Sequence, residues 1–170
     1  MQEEGFFGKF RGVVAKNDDP LYRGRVRAYV PDVYGDLVSG WAEPCLPFTG
    51  DQMGFFAVPA VGAAVWMEFE CGDPEFPIWT GGRWEDQNDM PPLPQGAQTA
   101  PDSAVLICTK GGHNILLDDT QGSGGITLQT SSGQKIVISD QGIEIDNGHG
   151  ATIKLSNNKI SLNDNALEVT

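Results

Sequence analysis

The sequence predicts an all-β protein in two parts, a small barrel followed by an intertwined trimeric β-helix, and three observations predict it. All 15 aromatic residues lie at or before Trp84 and all 11 prolines at or before Pro101. Short alternating segments separated by turn residues fill the first half, with no convincing amphipathic helix among them. From Ile115 to Val169 a unit of one branched apolar residue, one middle residue and another branched apolar residue returns seven times.

The first half reads as consecutive strands. Residues 9–15 (KFRGVVA) form a strand that ends at the turn 17–20 (NDDP), and residues 24–30 (GRVRAYV) alternate before stopping at Pro31. After a loop around Tyr34-Gly35-Asp36, residues 40–44 and 55–58 supply two more short segments. Residues 63–70 (AAVWMEFE) alternate again, and 77–81 (PIWTG) close the set. About five strands over some eighty residues match a small barrel of the oligonucleotide/oligosaccharide-binding (OB) type, with a compact β-sandwich as the competing fold. Residues 85–103 carry four prolines and no period, which predicts a semi-rigid linker. The predicted division is therefore an OB-fold-like head over 1–84, a Pro-rich linker over 85–103 and a needle over 104–170.

In the needle the repeated pairs are Ile115/Leu117, Ile126/Leu128, Ile136/Ile138, Ile143/Ile145, Ile153/Leu155, Ile160/Leu162 and Leu167/Val169. Their starts are 11, 10, 7, 10, 7 and 7 residues apart, a β-solenoid-like rhythm of very short strands, each showing one apolar face. A single layer of this kind has nothing of its own to cover that face. Three copies wound around one axis would cover it, each buried aliphatic side chain contributing about 1.5–3 kcal/mol. The pattern predicts an obligate homotrimer whose core is these seven pairs.

Charge and cysteines exclude several classes. Net charge is −12, with −9 carried by residues 1–103 and −3 beyond, which opposes binding to nucleic acid. Three cysteines without a CxxC indicate neither a disulfide framework nor a zinc site, and suit a reducing compartment. The start MQEEGFFGKF has no basic region before a long apolar stretch, so neither export by a signal peptide nor a membrane span is predicted.

Three segments carry a resemblance: residues 8–35 (GKFRGVVAKNDDPLYRGRVRAYVPDVYG), 39–50 (SGWAEPCLPFTG) and 58–84 (VPAVGAAVWMEFECGDPEFPIWTGGRW). Together they resemble the head domain of central spike proteins of contractile phage tails and injection systems, the baseplate assembly protein V family. The Ile-x-Leu repeat is similar to the triple-stranded β-helical needle of that family. The resemblance implies a structural spike without enzymatic activity or cofactor. It further implies docking under a tube or baseplate hub, transient contact with a target membrane, and synthesis in the bacterial cytoplasm before assembly into a particle. Some relatives carry a lysozyme domain between head and needle, a place held here by the linker alone. Others end in a His-x-His metal tip; here Asn147-Gly148-His149-Gly150 has one histidine, so a separate PAAR-type cap is the candidate partner for the tip.

The remaining chemistry-bearing residues have plain readings. His113 and His149 sit beside glycines in predicted turns, where surface exposure is expected ahead of a threefold metal site. Asp118, Asp140, Asp146 and Asp164 occur at turns, where Asx-turn formation explains them ahead of calcium binding or paired-acid catalysis. Arg23, Arg25 and Arg27, with Lys9, Arg11 and Lys16, form the one basic concentration; it is either an edge-protecting strand face or a surface that docks an acidic hub. Trp41, Trp66, Trp79 and Trp84 with Phe69 and Phe76 read as barrel core and subunit contact. The alternative of another class is a trimeric tail-spike-like protein that binds or degrades surface polysaccharide.

Overall fold

The computed structural model describes residues 5–92, 104–163 and 166–169, and the chain divides into two compact units between Met90 and Pro91. The predicted linker residues 93–103, together with Asp164 and Thr170, lie outside the described residues.

In the first unit β1 (Phe10–Lys16), β2 (Arg27–Tyr29), β3 (Glu43–Pro44), β6 (Ala64–Phe69) and β7 (Pro77–Gly82) form one sheet in the order β2-β1-β6-β7-β3. All pairings are antiparallel except β3 with β7. The two edges of that sheet meet at an isolated bridge, where Val26 and Ala42 exchange backbone hydrogen bonds of 3.2 and 2.7 Å. The ring β1-β2-β3-β7-β6 is thus closed, the OB arrangement the strand spacing predicts.

Alternation places Val14, Val26, Ala28, Val65, Met67, Phe69 and Trp79 inside this ring, and Phe6, Phe10, Phe69 and Tyr34 stack edge-on at one end. Burial pushes the Tyr34 hydroxyl up to about 12, with Asp73's charge adding to it, and that hydroxyl donates to the Pro74 carbonyl in the β6–β7 turn.

Three features of the first unit differ from the sequence expectation. Pro31–Tyr34 is one turn of helix, α1, started by proline at its first position. Residues 55–58 are not a strand; the pairing there is a small hairpin of β4 (Thr49–Gly50) and β5 (Met53–Gly54), and Phe55 and Phe56 are exposed. Residues 85–90 include a 3-10 turn, Gln87–Asp89, capped by Asp86 and Asp89 reciprocally.

The second unit is an eight-stranded antiparallel meander, β8 (Ala104–Cys108), β9 (Asn114–Asp118), β10 (Gly125–Gln129), β11 (Lys135–Ser139), β12 (Gly142–Asp146), β13 (Thr152–Ser156), β14 (Lys159–Leu162) and β15 (Leu167–Val169). Each strand pairs with its sequence neighbours, so the solenoid-like rhythm resolves into hairpins. The uneven spacing of the repeat is turn length. Residues 140–141 and 157–158 are two-residue turns and produce steps of 7, with Asn157 at φ 54°.

On the opposite edge, residues 109–113, 130–134 and 147–151 are five-residue loops of one design. In each, the first residue's N–H donates to the last residue's carbonyl at 2.9, 2.9 and 3.1 Å, and the fourth residue is a glycine with φ near 90°. In the first two loops that glycine's N–H also donates to the first residue's carbonyl, a β-turn followed by a left-handed residue, which only glycine adopts without penalty; in the third, the Asn147 side chain accepts from Ala151 N–H instead.

Candidate functional site

The register of the meander aligns the repeat into two columns on one face. Ile107, Ile115, Leu128, Ile136, Ile145, Ile153, Leu162 and Leu167 are paired in sequence along one column. Val105, Leu117, Ile126, Ile138, Ile143, Leu155, Ile160 and Val169 stand along the other. By register, all seven pairs expected in the apolar core fall on this face. Val105 and Ile107 join them as an eighth pair that the sequence reading does not include; β8 directly follows the predicted Pro-rich linker, and the sequence reading counts the repeat only from Ile115 onward.

The face is largely uncovered within the chain. Its exposed aliphatic side chains range from 37% at Leu155 to 60% at Val105, whereas Val26, Val30, Val65 and Met67 of the head are fully buried. The first column lines a trough of about 870 Å³ together with the five-residue loops. Contiguous apolar surface of this extent, in a chain otherwise rich in acids, marks an assembly surface.

The turn residues hold the sheet's edges. Asp118 Oδ1 accepts from the Thr120 N–H at 2.9 Å and from its hydroxyl at 2.6 Å, and those bonds hold the carboxyl below its usual range. Asp146 accepts from Gly148 N at 2.7 Å, and Asn147 accepts from His149 N and Ala151 N. His113 and His149 are exposed in their loops; His113 Nδ1 accepts from Ser131 N at 3.3 Å, tying two successive loops together. These groups work locally on the backbone, as Asx-turn chemistry requires.

In the head the basic concentration is divided: Lys9, Arg11, Lys16 and Arg23 are exposed, whereas Arg25 is drawn inward. Asp19 is buried, and its carboxylate accepts from the backbone of Leu21 (3.0 Å), Arg23 (2.8 Å) and Arg25 (3.3 Å). It also receives Nε and Nη2 of Arg25, the closest contact 2.6 Å, while that guanidinium lies 5.6 Å from the Trp41 ring. The Arg25 side-chain bond holds the Asp19 carboxyl far below the ordinary carboxylate range despite burial, and the backbone bonds lower it further. The loop these bonds fix presents Tyr22 with 90% of its surface exposed and φ at 55°. Arg27 Nε donates to the Ser39 carbonyl at 2.8 Å, and Arg23 makes a surface ion pair with Glu43 at 3.0 Å. Of the three arginines expected to share a docking face, Arg25 is thus an internal strut and Arg27 is half-committed, leaving Arg23 the most exposed. Trp79 is buried and donates to the Gly24 carbonyl at 3.1 Å, whereas Trp84 and Phe76 are exposed. No cluster of His, Cys, Asp and Glu able to hold a metal ion occurs among the described residues.

A closed β-barrel and, in the same chain, a strand ladder with one uncovered aliphatic face define a protein built to assemble. Comparison with known proteins supplies the family. Residues 10–84 match the type VI secretion system/phage-baseplate injector OB domain, and residues 104–168 match the phage baseplate V C-terminal trimerisation domain. The chain belongs to the central spike family of phage baseplates and type VI secretion systems.

Similar proteins include the type VI secretion system spike protein VgrG3 of Vibrio cholerae serotype O1 (El Tor Inaba N16961). It is 28% identical over 138 residues, which cover 73% of this chain and 14% of VgrG3. The actin cross-linking toxin VgrG1 of Vibrio cholerae serotype O1 (Classical Ogawa 395) is 38% identical over 72 residues, 40% of this chain and 7% of VgrG1. The chain thus spans a small part of the length of these relatives.

Proposed function

We propose that this chain is one protomer of a homotrimeric central spike in a contractile tail or injection apparatus. The observation that carries the reading is the pair of aliphatic columns: continuous from β8 to β15, uncovered in the chain, and coincident with the match to a trimerisation domain. Three ladders wound about one axis would place each column against two copies of itself. Residues 1–84 are the head under a tube or baseplate hub, 85–103 the linker and 104–170 the needle. Arg23 and the exposed Tyr22 loop are the head's candidate contacts with the hub.

The mechanism is mechanical. Contraction drives the needle against a membrane, and the repeated burial and hydrogen bonding along the axis make its unfolding slow, as a tip under force needs. The chain performs no chemistry and needs no cofactor. A PAAR-type cap would seat on the β15 end, and the particle would assemble from protein made in the bacterial cytoplasm.

The test is a double substitution at the centre of both columns, Ile138→Asp with Ile145→Asp. Six charges would then face one another across the axis, and burying even one unpaired carboxylate is prohibitive. The reading predicts loss of the trimer with the head still folded, read by light scattering and by tryptophan emission, since every tryptophan lies in the head. A variant that remains trimeric would refute the placement of these columns at the axis.

A further inference from the structure

The third five-residue loop differs from its two siblings in a way that turn geometry does not require. Thr109 and Thr130 open the first two, and each hydroxyl accepts the N–H of the loop's last residue, His113 and Gln134, at 3.2 Å. Asn147 opens the third, and its Oδ1 accepts the equivalent N–H, that of Ala151, at 2.9 Å. A threonine therefore suffices for this cap. What asparagine adds is a carboxamide carbon, which is an electrophile, and Asn147-Gly148 is the one asparagine–glycine pair in the sequence.

Further contacts surround that pair. The Gly148 N–H donates to Asp146 Oδ1 at 2.7 Å. Asn147 Oδ1 accepts the His149 N–H at 2.9 Å besides that of Ala151. The ring closed by the His149 bond contains the Gly148 nitrogen, so the carboxamide is held beside it. A carboxylate on the nucleophile's hydrogen and two N–H donors on the carbonyl oxygen are the parts of an acyl-transfer site. Gly148 brings no side chain to obstruct ring closure.

We infer that Asn147 is a self-modification site, where the folded loop converts the asparagine through a succinimide into aspartate and isoaspartate. The Gly148 nitrogen bonds to Asn147 Cγ, and the charge that develops on Oδ1 meets the His149 and Ala151 N–H groups. The Gly148 proton passes to Asp146 and from there to Nδ2, which departs as ammonia when the Cγ–Nδ2 bond breaks. Water then opens the ring at either carbonyl, giving aspartate or isoaspartate. No electrons are exchanged and water is the one outside reagent. Ring closure is internal to the loop, so the inference stands apart from the trimeric reading and goes beyond it. Each converted chain gains one negative charge. Isoaspartate also lengthens the backbone of a loop whose ends are joined by the 3.1 Å bond from Asn147 N–H to the Ala151 carbonyl.

The experiment incubates the full chain, folded and at neutral pH, in water labelled with heavy oxygen, and follows its peptides by mass spectrometry. The peptide carrying Asn147 is expected to lose its amide and take up the label ahead of those carrying Asn17, Asn88 and Asn114. An unmodified Asn147 would overturn the inference. Asp146→Asn keeps an acceptor for the Gly148 N–H but removes the base, and is expected to convert at least about tenfold more slowly. Equal rates in the two folded proteins would leave the ordinary reactivity of an asparagine–glycine pair and overturn the assigned site.

Asn147→Thr keeps the cap in the form its sibling loops use. It is expected to fold as the wild type does, by far-ultraviolet dichroism, and to show no acidic shift on isoelectric focusing. A shift that persists in it places the conversion elsewhere and contradicts the assignment. The wild type supplies a readout that needs no variant: unfolding it in urea removes the contacts around Asn147 and should slow the conversion. A rate in urea equal to or above that of the folded chain would contradict the proposal.

Discussion

Asp19 organises more of the head than any other single side chain. Its carboxylate ties three backbone N–H groups and the Arg25 guanidinium, which is itself only 13% exposed. Asp19→Ala is expected to lower the melting temperature of the head by roughly 5–10 °C, followed by tryptophan emission. Arg25→Lys should cost part of that, since an ammonium cannot make the forked contact. The pH dependence follows from the direction of the shift. A carboxyl held below its unfolded value stabilises the fold fully above that value, near 4, and the stabilisation is lost as pH falls from there toward the folded value. Melts between pH 6 and pH 2 should show a loss in the wild type below about pH 4 that is reduced in Asp19→Asn. Little of this is legible in the sequence. Arg23, Arg25 and Arg27 alternate as a strand face should, but Asp19 lies before Arg25 across a turn, and no periodicity connects the two.

At the scale of the strand and turn, the needle's hairpins depend on close backbone approach. Gly142 opens β12 at φ 124°, and a Cβ built there would lie 1.9 Å from the Leu155 carbonyl oxygen of the neighbouring strand. Gly142→Ala must therefore push β12 and β13 apart, at a cost of roughly 1–3 kcal/mol per chain. A lower melting temperature of the needle, followed by far-ultraviolet dichroism, checks it; an unchanged melt would contradict the close pairing. The alternation that defines the inner columns is legible because a period of two fixes which side chains share a face. The Val-Leu-Ile strand β8 escapes that pattern because it directly follows the Pro-rich stretch, apart from the segment over which the repeat is counted. The glycine at the fourth position of three loops is present in TKGGH, TSSGQ and NGHGA, yet the loops are unequally spaced and share little else, which conceals the repeat. In the head, the apolar run at 55–58 suggests a strand but stays outside the ladder, and one turn of helix after Pro31 is too short to leave a periodic trace.

For the whole molecule the decisive contrast is between two kinds of aliphatic residue. In the barrel they are buried by their own chain, and in the needle they are left half-exposed over eight strands. The division of aromatics announces this: rings fill a closed barrel, while Ile, Leu and Val suit the narrow interior three sheets would enclose. Conversion of an exposed face into a dry column is what would make the needle stable and the isolated chain poorly stable, so assembly and folding should be coupled. Dilution should accordingly lower the melting temperature of the needle while leaving the barrel's unchanged. The most direct test is the mass of the wild-type protein by light scattering after gel filtration, with and without strong detergent at room temperature. A mass near three times that of the 18.3 kDa chain, persisting in detergent, is the predicted result. A mass equal to that of a single chain would contradict it and leave the aliphatic columns without a purpose.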